Sequence, residues 1–153
     1  MKYLFLTAFI FCLQHQAFSQ KLLAGNSISY LKAAGDFGDS YHTGFGVNFN
    51  GELNLFGQLG ITGELGWNHW NADNNNPGPE LPNADAFDLL IGGKIGLSFM
   101  YLELRAGYLF GDLEEFIIIP AAGLRLGKFD LNVGYQMVSD LNYLSFRLGY
   151  FWI

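Results

Sequence analysis

The chain has 153 residues, 50% of them hydrophobic and only 14% charged, against the roughly 25% charged of an ordinary soluble domain. Its 8 basic and 14 acidic residues, a formal charge of -6, exclude nucleic acid as a partner, and an apolar content this high excludes a disordered chain. Past the N-terminal segment no stretch reaches the ~20 uninterrupted apolar residues of a spanning helix, which argues against a helical membrane protein.

Residues 1–19 read as a cleaved signal peptide. Lys2 precedes the apolar run Leu4 to Leu13, and Ala17-Phe18-Ser19 presents small residues where a signal peptidase reads, leaving Gln20 as the new N-terminus. Cys12, the only cysteine, follows Phe11 rather than the small residue of a lipoprotein signal, and it leaves with the peptide. Residues 20–153 then form one domain without disulfides.

From Gln20 onward apolar residues recur with period two in eight runs, the pattern of strands whose two faces differ. The first sets Leu22, Ala24, Ile28 and Tyr30 against Gly25, Ser27 and Ser29. The second sets Phe45, Val47, Phe49 and Leu53 against Gly44, Gly46, Asn48, Asn50 and Glu52. In the third, Leu59, Ile61, Leu65 and Trp67 oppose Gly60, Thr62, Glu64 and Asn68; in the fourth, Phe87, Leu89, Ile91, Ile95 and Leu97 oppose Asp88, Gly92, Lys94 and Gly96. The fifth places Leu102, Leu104, Ala106, Tyr108 and Phe110 opposite Tyr101, Glu103, Arg105 and Gly107. The sixth places Phe116, Ile118, Leu124 and Leu126 opposite Gly123, Arg125 and Gly127. In the seventh, Phe129, Leu131, Val133 and Tyr135 oppose Asp130, Asn132, Gly134 and Gln136; the eighth sets Leu144, Phe146, Leu148, Tyr150 and Trp152 against Ser145, Arg147 and Gly149.

Tight connections follow strands two, four and six, at Leu55 to Gln58, Ser98 to Met100 and Gly127 to Phe129. Long polar ones follow strands one and three, Ala33 to His42 and Asn71 to Asp85, while Gly111 to Glu115 and Ser139 to Asn142 are shorter and acidic. An even strand number with alternating short and long ends predicts an all-β fold, an eight-stranded antiparallel up-and-down barrel that leaves no edge.

Alternation alone leaves two barrels open, a lipocalin-like one with the greasy face inward and a transmembrane one with it outward. The polar face is mostly Gly, Ser and Asn with about one charge per strand, a poor coat against water and a suitable filling for a narrow lumen. Aromatics gather at both ends: Tyr30, Trp67, Trp70, Phe87, Phe110, Phe116 and Tyr143 toward the long loops, and Phe56, Phe99, Tyr101, Phe129, Tyr150 and Trp152 toward the tight turns. Two aromatic girdles and strands of about ten residues favour the transmembrane barrel.

The eight alternating runs and the final strand Leu144 to Ile153 resemble the small OmpA/OmpX-type outer-membrane β-barrel family. The segment Gly35 to Gly46 is similar to the first loop and second strand of the "outer membrane protein beta-barrel domain" proteins of Bacteroidota. The resemblance implies a bacterial outer-membrane protein with both termini periplasmic. It also implies recognition of a C-terminal aromatic by the barrel-insertion machinery, carried here by Tyr150 and Trp152 because Ile153 stands last.

With the apolar parity facing lipid, the lumen receives Glu64, Lys94, Glu103, Arg105, Arg125, Asp130 and Arg147, with Glu52 and Asp88 nearer the ends. Charges so confined are expected to pair. A polar lumen plugged in this way predicts a structural or surface-interaction protein; the alternative is a narrow pore for ions or small solutes. No enzymatic role is expected: His69, for which Ser40 or Asp73 could complete a triad, stands between tryptophans at the rim, where it serves as an interfacial anchor. No cofactor or metal motif is present, since the loop acids Asp36, Asp39, Asp73, Glu80, Asp85, Asp112, Glu114, Glu115 and Asp140 lack EF-hand spacing. They form a solvated rim, or a surface for lipopolysaccharide through bridging divalent ions, or for a basic partner.

Overall fold

The computed structural model describes residues 21–56, 58–74, 80–137 and 141–152, with the side chain of Phe56 excepted. The expected signal peptide, the tip of the loop after the third strand, the acidic Asp140 and the terminal Ile153 lie outside the described residues. Eight strands form: β1 (Lys21–Ala33), β2 (Tyr41–Phe56), β3 (Leu59–Ala72), β4 (Ala84–Leu97), β5 (Met100–Gly111), β6 (Glu115–Leu126), β7 (Phe129–Gln136) and β8 (Tyr143–Phe151). They close into one antiparallel barrel in sequence order. Closure runs through nine registered pairs between β1 and β8, from Gly25↔Phe151 to Ala33↔Tyr143. The Trp152 N–H then donates to the Ala24 carbonyl at 2.9 Å and ties the end of β8 to β1.

The tight connections lie where the sequence places them. Ser98 and Phe99 join β4 to β5, and Gly127 and Lys128 join β6 to β7. Each turn needs a positive φ at its first central residue, as primed hairpin turns do. Gly127 adopts 64° without a Cβ penalty, whereas Ser98 takes 66° as a non-glycine residue. One element is unexpected: the first long connection contains a single helical turn, α1 (Phe37–Ser40), which turns Phe37 into the barrel mouth.

Parity sorts the side chains. Ile28, Phe45, Leu65, Ile91, Leu104 and Leu148 stand on the outer surface, each at least about two-fifths exposed, and Ile91 reaches 67%. A belt of that size is solvated by hydrocarbon rather than water. Three aromatics expected in the girdles are instead interior: Trp70, Tyr101 and Tyr143 are 1%, 3% and 4% exposed. The reason is parity, since Trp70 lies an even number of residues from Glu64, and Tyr101 and Tyr143 share the parities of Glu103 and Arg147. Tyr30, Phe87, Phe110 and Phe116 remain outside at the loop end, and Phe99, Phe129, Tyr150 and Trp152 at the turn end.

The lumen is likewise not polar throughout. Leu31, Leu90, Leu109, Ile117 and Ile119 point inward toward the loop end, beside Ala84 and Ala86. Leu90, Leu109, Ile117 and Ile119 have apolar neighbours on both sides in the chain, where parity gives no contrast in residue type.

The outer belt predicts a cost for charge. Leu104→Arg, near the middle of β5, should destabilise the bilayer-inserted barrel by about 2–4 kcal/mol, the penalty for a cation at mid-membrane depth. Urea titration of the protein in lipid vesicles measures it, and an unchanged midpoint would contradict the outward lipid face.

Candidate functional site

Adjacent inward residues on one strand are two apart, and neighbouring strands are about 4.8 Å apart, so inward side chains from facing walls meet across a narrow barrel. At the turn end this brings together Glu52 of β2, Lys94 of β4, Arg125 of β6 and Asp130 of β7. Lys94 Nζ donates to Glu52 Oε2 at 2.7 Å, and Arg125 Nη2 donates to the same oxygen at 2.9 Å. Arg125 Nε donates to Asp130 Oδ1 at 2.8 Å, and the Tyr101 hydroxyl donates to Asp130 Oδ2 at 2.7 Å. Lys94 also lies 4.0 Å from the centre of the Tyr101 ring, and Arg125 packs 4.1 Å from that of Phe151.

A second cluster sits deeper. Arg105 Nη1 donates to Glu64 Oε2 at 2.6 Å, and Arg147 Nη1 donates to the same oxygen. Arg147 Nη2 lies 3.4 Å from Glu103 Oε2, and its Nη1 also reaches Asn50 Oδ1 at 3.2 Å. Asn132 joins the clusters: its Nδ2 donates to the Tyr101 hydroxyl at 3.1 Å and to Glu103 at 3.3 Å, while its Oδ1 accepts from Arg105 at 3.3 Å. Glu64, Lys94, Glu103, Arg105, Arg125, Asp130 and Arg147 therefore meet in one network. Glu52, expected nearer the end, belongs to it as well.

Sequence parity sets Tyr101 and Asn132 on the inner face, with Tyr101 also counted as a girdle aromatic and Asn132 given no role. Their polar groups bridge two clusters of charges, a role that spacing alone cannot reveal.

Above the ion pairs lies a layer of serine, asparagine and one carboxylate, Asp88. Asn48 Nδ2 is 2.9 Å from Ser29 Oγ, Asn50 Nδ2 is 2.8 Å from Ser27 Oγ, and Asn68 Nδ2 donates to Asp88 Oδ2 at 2.6 Å. Asp88 is buried, and it lies nearer the loop end than the ion pairs do. Above it comes an aromatic stack in which Phe37 of α1 lies edge-on to Trp70 at 5.0 Å between ring centres, and Trp70 lies edge-on to Tyr143 at 4.9 Å. The charged layer encloses a cavity of about 20 Å³, room for about one water molecule. A vestibule of about 320 Å³ opens below it, between Asn54, Gln58, Ser98 and the Glu52 network.

At the rim, His69 Nδ1 lies 2.9 Å from Asp85 Oδ1, and the ring packs against Phe45 and Trp67 at 5.3 and 6.0 Å. Ser40 and Asp73, the residues a triad could have used, meet each other through a backbone bond from the Asp73 N–H to the Ser40 carbonyl at 2.9 Å. No grouping of three or more His, Cys, Asp or Glu that could hold a metal occurs among the described residues. Tyr150 and Trp152 both face outward at the turn end.

This architecture has solved counterparts. A de novo designed transmembrane β-barrel is similar with a TM-score of 0.57 at 13% identity, over 85% of this chain and 95% of that one. The outer membrane protein Ail of Yersinia pestis, in a phospholipid bilayer nanodisc, is similar with a TM-score of 0.52 at 13% identity, over 86% of this chain and 100% of that one. The fold is that of a small transmembrane β-barrel. The likeness is one of fold: no protein-family model matches this barrel's sequence, and no curated protein does.

The barrel's network predicts unequal costs on breaking it. Arg147→Met takes a partner from two buried carboxylates at once and leaves Arg105 alone to serve both Glu64 and Glu103, so it should cost about 3–5 kcal/mol, the loss seen when one member of a buried pair is removed. Lys94→Met should cost less, because it takes a partner from Glu52 alone and Arg125 still reaches that carboxylate. Equal urea midpoints for the two variants would contradict the assigned partners.

Proposed function

We propose that this chain is a bacterial outer-membrane protein of the Bacteroidota β-barrel family it resembles in sequence. After export by a cleaved N-terminal signal, both termini lie in the periplasm and the long loops at the cell surface. The outward Tyr150 and Trp152 serve as the recognition element for the barrel-insertion machinery. The lumen is plugged and the protein acts as a structural or surface-interaction component, neither conducting nor catalysing.

One observation carries the closed-lumen reading. The barrel interior is filled by two obstacles of different chemistry in series, an ion-pair layer and an aromatic layer. Water entering from one mouth meets salt bridges that it would have to separate, and from the other a stack of rings that offers it almost no hydrogen bonds. The working surface is then the loop end, where Asp36, Asp39, Asp112 and Glu114 are exposed. These carboxylates suit a basic partner, or lipopolysaccharide phosphates through divalent ions. The His69 ring, packed against Phe45 and Trp67, fits an anchor at the membrane interface.

The barrel refolded into planar bilayers should give no steady single-channel current at neutral pH, and reproducible unitary currents would establish the alternative, a narrow pore. An epitope inserted beside Glu80 should be reached by antibody on intact cells. Accessibility only after outer-membrane permeabilisation would reverse the orientation.

A further inference from the structure

The lumen's charges do not balance. Among the described residues five carboxylates are buried, on Glu52, Glu64, Asp88, Glu103 and Asp130, against the four inward cations Lys94, Arg105, Arg125 and Arg147. Four of the five acids lie within 4 Å of an Arg or Lys nitrogen. Asp88 is the exception. Only 6% exposed, it accepts one hydrogen bond, from the neutral Asn68 amide, and its Oδ1 has no hydrogen-bond partner.

The surroundings are shaped to leave room for these oxygens. Gly66 stands opposite Asp88 in the β3–β4 register. A methyl group on Gly66 would collide with both Asp88 oxygens, at 2.5 and 2.7 Å, and with Asn48 Oδ1. The Asn48 oxygen is buried and without a partner too, so two unsatisfied acceptors converge on one spot. Beside them lies a cavity of about 20 Å³, lined also by Glu64, Arg105, Tyr143 and Arg147, large enough for one water or one desolvated ion. Turning the Asn48 amide over would point its Nδ2 at Asp88 and let the serine hydroxyls donate to its oxygen. That supplies hydrogen bonds but no charge. A bare buried carboxylate still costs several kcal/mol.

We propose that the cavity beside Asp88 is a binding site for one small monovalent cation, taken up as a proton on the carboxylate or as a sodium ion between Asp88 and Asn48. Either occupant supplies the single positive charge that the lumen lacks. Arg105 and Arg147 face the same cavity but are committed to Glu64 and Glu103. Glu64 lines the cavity too, and its carboxylate accepts from both guanidiniums, so Asp88 is the acid there that no cation serves.

The test compares wild type with Asp88→Asn, an isosteric change that removes the charge, by the urea midpoint of the refolded barrel in detergent. In one arm sodium chloride replaces choline chloride at constant ionic strength and pH; in the other pH is varied from about 5 to 8 without sodium. For a proton, the folded state binds more protons than the unfolded chain, whose aspartate titrates near ~3.9. The stability of wild type relative to Asp88→Asn should then fall as pH rises, by up to tenfold in the folding constant per unit. For sodium, that relative stability should rise at fixed pH by up to tenfold per tenfold sodium above the dissociation constant. Either response supports the site and names its occupant, whereas a difference flat in both arms overturns it. Should Asp88→Asn fail to refold, Asp88→Ala, which removes the charge and leaves room for water, takes its place.

Discussion

Everything in this molecule depends on backbone hydrogen bonding in a medium that supplies none. Within hydrocarbon each unpaired N–H or C=O costs several kcal/mol, so a sheet that crosses a bilayer must close on itself. The β1–β8 ladder does this and spares the barrel an edge. Closure with eight strands then sets the width of the lumen, which is narrow enough for side chains from facing walls to fill. A residue on the inner parity therefore packs against others whether or not its chemistry suits a dry interior. The ion pairs and the aromatic stack are two answers to that crowding.

The two answers differ in what they demand of the chain. Rings fill volume without requiring exact partners, so Phe37, Trp70 and Tyr143 can come from a helix and two strands far apart in sequence. Charges require matched geometry and number. The turn-end half meets that demand by sharing: Glu52 serves both Lys94 and Arg125, and Glu64 serves both Arg105 and Arg147. Shared acceptors spread the desolvation of two cations over one carboxylate and lock three strands together at each node. Asn132 and Tyr101 extend the locking with neutral dipoles, which cost less to bury than another ion pair.

Parity made most of this legible in the sequence. Because strand period is two, Glu64, Lys94, Glu103, Arg105, Arg125, Asp130 and Arg147 could all be set on the inner face without coordinates. The tight turns were equally plain, since Gly127 and the short interval between the runs around Ser98 leave little choice. What escaped were places where alternation loses contrast. In Phe116-Ile117-Ile118-Ile119 and in Leu89-Leu90-Ile91 both parities are apolar, so the inward Ile117, Ile119 and Leu90 could not be told from their outward neighbours. Trp70 and Tyr143 misled for a related reason, as an aromatic near a strand end suits an interface girdle and a lumen plug equally well. Pairing escaped too: His69 met Asp85 across the β3–β4 register, a matter of strand alignment rather than residue type.

The formal charge of -6 takes its meaning from this partition. Inside, the imbalance is a single carboxylate. Outside, the charges separate along the barrel axis, with Asp36, Asp39, Asp112 and Glu114 exposed at the loop end and Lys21 and Lys128 exposed at the turn end. Such a separation does little for folding, because exposed charges in water are screened within about 10 Å at moderate salt. It does give the two ends opposite local potentials, so any molecule that approaches the loops meets a negative field while the interior contributes almost nothing to it. The charges at the rim thus govern encounter, and those in the lumen, held in low dielectric and counted nearly one for one, govern stability.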